Sequence, residues 1–288
     1  MLFIFEEELA KIDKELTDTE LPNIPKLFRG IPLDLFGKLL LNIPSQYPNI
    51  KAYFPSMASE NIQKQWTGNH GEMLLKQSVA FIKTMIYGYS SISGKDIMQA
   101  SVLDYGCGWG RLIRLLYKLV PINNIYGVDP WDESIKICKQ NGVKGNLAIS
   151  DYVPRSLPFE EKFNLIFAFS VFTHLSEKTT RIVLDTIRNY VTQDGVLVIT
   201  IRPREYWPVH ERLHPGQGVM ASKMLVMHDE KGFAFAPHNR SPIDGDITYG
   251  HTSMTLKFIE NNFPQWRIDS IECNDIDPYQ VILFLKPA

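Results

Sequence analysis

At 288 residues, with 44% of them hydrophobic, the chain is long enough to bury one sizeable core with additions to it. A formal net charge of −2, with no lysine or arginine run, offers no field for a nucleic-acid backbone, so neither DNA nor RNA is expected as a partner. The three scattered cysteines, Cys107, Cys138 and Cys273, do not form a disulfide framework and suit a reducing cytoplasm.

The residues Met1 to Phe5 are apolar but run directly into Glu6, Glu7 and Glu8, without the basic front or the length of a signal peptide or membrane span. Leu9, Ile12 and Leu16 then recur at helical spacing, and a proline-rich stretch that reads as irregular follows (Pro22, Pro25, Pro32, Pro44, Pro48, Pro55). Residues 1–70 are therefore expected to be an N-terminal helical extension. Gln65-Trp66-Thr67-Gly68 closes it as a polar-aromatic turn, placed either to cover a bound ligand or to anchor a tryptophan in the core. From Gly71 to Tyr87, the residues Leu74, Leu75, Ser78, Phe81, Ile82, Met85 and Ile86 form one apolar face, which predicts a long amphipathic helix.

The run Val102-Leu103-Asp104-Tyr105-Gly106-Cys107-Gly108-Trp109-Gly110-Arg111 joins an apolar strand to a helix through glycines spaced by two. Bare backbone and helix N–H groups at such a turn accept close approach by a ligand. A dinucleotide turn reads G-x-G-x-x-G, and a pyrophosphate would be repelled by Asp104, whereas a cationic ligand would be attracted. The pattern of an acid, any residue and G-x-G-x-G resembles motif I of the class I S-adenosylmethionine-dependent methyltransferases. That resemblance implies a donor site including Asp104, Tyr105, Gly106, Cys107, Gly108 and Gly110, with S-adenosylmethionine (SAM) as cofactor.

A helix carrying Leu112, Leu115, Leu116 and Leu119 should run on from the turn and stop before Pro121. A second strand, Asn124 to Asp129, ends in an acid about 20 residues past the glycines, where a ribose-binding carboxylate belongs; Asp129 is the candidate, with Pro130 and Trp131 beside it. After a helix from Asp132 to about Gln140, Leu147 to Ser150 reads as a third strand, and Asp151 and Tyr152 beyond it are the residues that the resemblance brings to adenine. Phe163 to Phe169 is an uncharged fourth strand, Ser176 caps a helix running to about Tyr190, and Val196 to Ile201 is a fifth strand. Between these, Phe169-Ser170-Val171-Phe172-Thr173-His174-Leu175 resembles the family's motif IV region. Phe169 and Ser170 would then line the donor, and His174 is a candidate general base. Ser170 and Thr173 stand where metal-dependent relatives carry carboxylates, so no metal is expected there.

From Arg202 to about Gly250 the strand-helix pattern lapses, in a stretch too long for a structureless connection. It reads as a lid or substrate-binding insertion holding His210, Glu211, His214, His228, His238, Asp244, Asp246, Tyr249 and His251. His214 and His251 join His174 as catalytic candidates. His210 and His214 have metal-ligand spacing, but Pro208 and Pro215 stand close enough to argue against a helix there. A helix near Ser253 to Asn262 and a strand near Trp266 to Glu272 follow. The last strand, Gln280 to Leu285, is too close after Pro278 to be anything but antiparallel, like the reversed seventh strand of the family.

Together these elements predict an α/β, Rossmann-like, doubly wound sheet of seven mostly parallel strands with an antiparallel last strand, an N-terminal extension and an insertion after strand 5. Residues 71–288 would form the methyltransferase domain, with the insertion at about 202–250. The expected activity is methyl transfer from SAM to a hydroxyl of a small molecule or sugar. An NAD-dependent oxidoreductase, disfavoured by the glycine spacing, and a non-catalytic SAM-binding protein are the alternatives.

Overall fold

The computed structural model describes residues 2–17, 23–216 and 218–288; Met1 and Pro22 lie outside them. The strands form one seven-stranded sheet in the order β3 (Asn146–Ile149), β2 (Ile125–Asp129), β1 (Val102–Tyr105), β4 (Phe163–Ala168), β5 (Val191–Ile201), β9 (Val281–Pro287) and β8 (Trp266–Glu272), and a separate pair, β6 (Phe233–Pro237) and β7 (Gly250–Met254). The chain divides into two compact units, residues 1–90 with 95–149, and residues 91–94 with 150–288.

In the first unit the N-terminal stretch is not irregular after its opening helix. It folds as α1 (Glu6–Glu15), α2 (Ile24–Leu27), α3 (Leu33–Leu41), α4 (Pro48–Tyr53) and α5 (Glu60–Thr67). While Pro44 and Pro55 lie in connections, three of the prolines read as breakers stand at helix starts: Pro25 and Pro48 fall in first turns and Pro32 is the residue before α3. An N–H is not needed at those positions, so proline initiates rather than interrupts. Asp13, buried, accepts from the backbone N–H groups of Asn49 and Ile50 (2.9 and 2.8 Å) and ties α1 to α4. Gln65 to Gly68 is the last turn of α5, closed by Gly68 in the left-handed region, rather than a free turn.

The long helix α6 (Gly71–Ser93) buries Leu74, Ser78, Phe81, Ile82 and Met85, as its periodicity predicts. Strands β1 (Val102–Tyr105), β2 (Ile125–Asp129) and β3 (Asn146–Ile149) pair in parallel, with α7 (Ile113–Leu116) and α8 (Asp132–Gln140) between them. Helix α7 is one turn, shorter than the expected run to Pro121; Leu119 and Val120 continue in turns.

In the second unit β4 (Phe163–Ala168) pairs in parallel with β5 (Val191–Ile201), which begins five residues earlier than its apolar run. Helix α9 (Glu177–Tyr190) starts at Ser176, whose Oγ accepts from the N–H of Thr179. The insertion is ordered: α10 (Tyr206–Leu213), α11 (Ala221–Lys231) and a hairpin of β6 (Phe233–Pro237) and β7 (Gly250–Met254). Pro208 is the third residue of α10, where its missing N–H has no carbonyl to meet, and Pro215 lies beyond the end, so neither prevents the helix. Strand β7 continues through Met254, and α12 (Leu256–Asn262) begins only after Thr255 caps it. Strand β9 (Val281–Pro287) runs antiparallel between β5 and β8 (Trp266–Glu272), as the short connection at Pro278 requires.

Two glycines of the β1–α7 turn test what the turn requires. Gly110 sits at φ 78°, and a Cβ there would meet Val143 Cγ1 at 3.0 Å and Arg114 Nη1 at 3.1 Å; Gly108 sits at φ 55° with nothing within 4 Å of that position. Gly110→Ala is expected to cost about 2–3 kcal/mol in urea unfolding, and Gly108→Ala about 1 kcal/mol, because only the first adds crowding to left-handed strain.

Candidate functional site

The first unit carries the predicted turn residues at the carboxyl end of β1. Asp104 is 2% exposed and its Oδ2 has no hydrogen-bond partner. Burial raises its pKa well above the usual carboxylate range, while Arg111 pulls it down and Asp129 pushes it further up. Asp129 Oδ2 accepts from the Gly108 N–H and Oδ1 from the Trp131 N–H, both at 2.9 Å, so this carboxylate fixes the second glycine and the start of α8 together. The Ser134 side chain is a third hydrogen-bond partner of this carboxylate, which leaves about one of its roughly four acceptor sites free. Burial raises the pKa of Asp129 against the pull of these backbone bonds. Tyr105 and Cys107 are buried, and Cys138 Sγ donates to the Gly108 carbonyl at 3.3 Å. Trp131, 44% exposed, packs its ring on Trp66 of α5 with centroids 4.5 Å apart.

Sequence reasoning missed Arg114. It is 2% exposed, donates to the carbonyls of Trp109 and Ser56 (both 2.7 Å) and lies over the Trp109 ring. An arginine inside an otherwise apolar helix face was the available signal.

In the second unit Asp151 and Tyr152 are exposed after β3, and Phe169 is buried at the end of β4. Ser170 adopts φ 60°, rare for a residue with a side chain, and is held there by Thr200 Oγ1, which accepts from its N–H, and by Gln280, which donates to its Oγ.

The insertion and motif IV residues converge on Arg202, the residue after β5. Arg202 is 8% exposed; Nη1 donates to the Thr173 carbonyl (2.6 Å) and to His251 Nδ1 (3.2 Å), Nη2 donates to His174 Nε2 (3.1 Å), and the guanidinium lies 4.1 Å from the Tyr206 ring centroid. Arginine only donates, so it sets every tautomer around it. His174 must carry its proton on Nδ1, which donates to the Gly250 carbonyl (2.7 Å). His251 must carry its proton on Nε2, which donates to His238 Nε2 (3.0 Å). Tyr206 Oη then donates to His251 Nδ1 and accepts from His210 Nδ1, each at 3.0 Å. Tyr249 stacks on His174, with centroids 4.9 Å apart and planes 3° from parallel.

A neutral imidazole has one lone pair. Those of His174 and His251 both point at Arg202, which was not singled out from the sequence although it directly follows an apolar strand. His214 is exposed, its ring 5.0 Å from that of His210. His228 is elsewhere, its Nδ1 paired with Ser253 Oγ, and Asp246 binds Ser176. Among the described residues no three His, Cys, Asp or Glu side chains are grouped to hold a metal.

Burial and then Arg202 push the pKa of His251 down to about 3, and the same two causes, in that order, hold His174 well below its usual range. The unfolded chain binds a proton at His251 near pH 6.5 and the folded chain does not. The His251 contribution to stability is therefore complete above that value and lost as the pH falls toward 3. Denaturation midpoints measured at about pH 7.5 and 5 should separate more in the wild type than in His251→Asn.

Residues 102–195 match the family described as a methyltransferase domain. Sheet order and glycine turn, together with this match over about a third of the chain, agree with the Rossmann-like fold of SAM-dependent methyltransferases. No curated protein sequence matches the chain. Among solved structures, it resembles the PH0226 protein of Pyrococcus horikoshii (16% identity, 78% of this chain and 98% of that one, TM-score 0.54). It also resembles DesVI of Streptomyces venezuelae (11%, 81% and 100%, TM-score 0.52) and a SAM-dependent methyltransferase of Clostridium acetobutylicum (16%, 79% and 96%, TM-score 0.50). At these identities the likeness is one of fold. No helix among the described residues is long and apolar enough to cross a membrane.

Proposed function

We propose that this chain transfers the methyl group of SAM to an oxygen of a small molecule or sugar, and that residues 71–288 do so with residues 1–70 as an extension. The observation that carries the donor assignment is Asp104 Oδ2, a buried carboxylate oxygen without a partner beside a turn whose Gly108 leaves open space. The donor's ammonium and sulfonium supply a cation close to this unpartnered oxygen, and Asp129, already bonded by Gly108, Trp131 and Ser134, retains an acceptor site for a ribose hydroxyl. Pro130 and Trp131 belong to the same set. Asp151, Tyr152, Phe169 and Ser170 are assigned to the donor on their motif positions alone.

SAM supplies a methyl carbon bonded to a positively charged sulfur. With the donor bound, the acceptor oxygen would form the C–O bond as the C–S pair returned to sulfur, and the hydroxyl proton would pass to an imidazole of the His174 and His251 region. The chain's part is to orient the reactants and exclude water. The His174, His251 and His214 region is the proposed acceptor side, and a cytoplasmic setting agrees with three free thiols.

Calorimetry with SAM and with NAD tests the donor. We expect binding of SAM alone; NAD binding without SAM would overturn the reading. Transfer of a labelled methyl group to alcohols, phenols and sugars, compared with amines, tests the acceptor atom, and amine-only transfer would overturn oxygen. SAM binding with no transfer to any of them favours a non-catalytic binding protein.

A further inference from the structure

A guanidinium removed from water is costly unless an anion meets it. Arg202 is nine-tenths buried, and all three of its hydrogen-bond acceptors, the Thr173 carbonyl, His174 Nε2 and His251 Nδ1, are uncharged. Asp277 attracts it through space but is not among those acceptors. A second cation, Arg240, lies over the Tyr249 ring at 4.5 Å, and Tyr249 stacks on His174, so two guanidinium groups flank one layer of rings. His174, His238, Tyr249 and His251 are only partly covered, which leaves this layer open to a ligand. Arg202 also directly follows β5, at the carboxyl edge where open α/β sheets bind their substrates.

We infer that Arg202 binds an oxyanion, a carboxylate or a phosphate, carried by the methyl acceptor, with Arg240 adding longer-range attraction from the far side of the ring layer. The anion takes N–H donors that now serve imidazoles, since a charged acceptor outcompetes a neutral one for guanidinium. Redirecting Nη2 releases the lone pair on His174 Nε2, whereas His251 Nδ1 keeps its bond from Tyr206 Oη. The ring thus becomes a competent base only when an acidic acceptor is present, and the proton of the acceptor's reacting hydroxyl moves to that nitrogen as the methyl is transferred. Calling the bound acid the methyl acceptor rests on the methyltransferase reading; the oxyanion site itself does not.

Full-length protein labelled with ¹⁵N-histidine is titrated with inorganic phosphate and, separately, with benzoate, while imidazole nitrogen shifts are followed. We expect saturable shifts at His174 Nε2 and His251 Nδ1 with at least one probe, which also identifies the anion's source. Arg202→Gln should bind that probe at least tenfold more weakly without a lower melting temperature. Should Arg202→Gln fail to fold, Arg240→Gln, whose residue makes none of the imidazole contacts, should weaken binding two- to fivefold. No saturable shift with either probe, or unchanged affinity in the folded variant, overturns the inference. Calorimetry with S-adenosylhomocysteine on the same sample separates the two readings: its failure beside intact anion shifts removes the methyltransferase reading alone.

Discussion

Asp104→Asn is expected to leave the fold standing, or to stabilise it slightly, while weakening SAM binding about 10- to 100-fold. The two effects have opposite signs because the native carboxylate is buried with Oδ2 unpartnered. Removing its charge relieves a desolvation cost, and an amide of nearly the same shape leaves no cavity. The donor's cation then loses a charge-assisted bond worth about 1.5–3 kcal/mol, which is the stated range in affinity. Since burial holds the Asp104 pKa above its usual range and donor binding favours the carboxylate, binding should also release protons in the wild type and not in the variant. Calorimetry in buffers of different ionisation enthalpy reads both quantities. Equal affinities in the two proteins would remove Asp104 from the donor site.

The second large effect is structural. Arg114→Ala should cost about 3–5 kcal/mol in chemical unfolding and weaken donor binding with it. The substitution leaves the Trp109 and Ser56 carbonyls without their donors, and it opens a void beside the Trp109 ring. Trp109 lies within the glycine turn, so its loosening should reach the proposed donor site. Arg114→Lys reaches at most part of this geometry and should recover only part of the loss, because a point charge does not replace a planar fork. A loss under about 1 kcal/mol would show that water satisfies both carbonyls.

What was legible in the sequence was local. The glycine turn, the acid ending β2, the Ser176 cap and the antiparallel β9 each follow from a few adjacent residues whose conformational preferences agree. The proline misreadings have one cause: Pro25, Pro48 and Pro208 were read as interruptions when each stands in the first turn of a helix. Arg202 and Arg114 were invisible for a different reason. Their partners, at residues 173, 174 and 251 and at residues 56 and 109, are brought together only by tertiary structure. The histidine-rich insertion was recognised as important, yet its tautomers follow from one donor-only side chain outside any motif.

The antiparallel strand β9 also bears on how the protein is made. Strand β5 finds one of its neighbours about 80 residues further along the chain, so that pairing closes late and against a large loop entropy. During synthesis the apolar run Val196 to Ile201 therefore waits with one open edge while the intervening helices and hairpin emerge from the ribosome. An exposed strand edge of this kind templates association between chains. Yield of the intact protein should then depend on chaperone supply and growth temperature, and ribosome-stalled chains ending before Val281 should be recovered as aggregates.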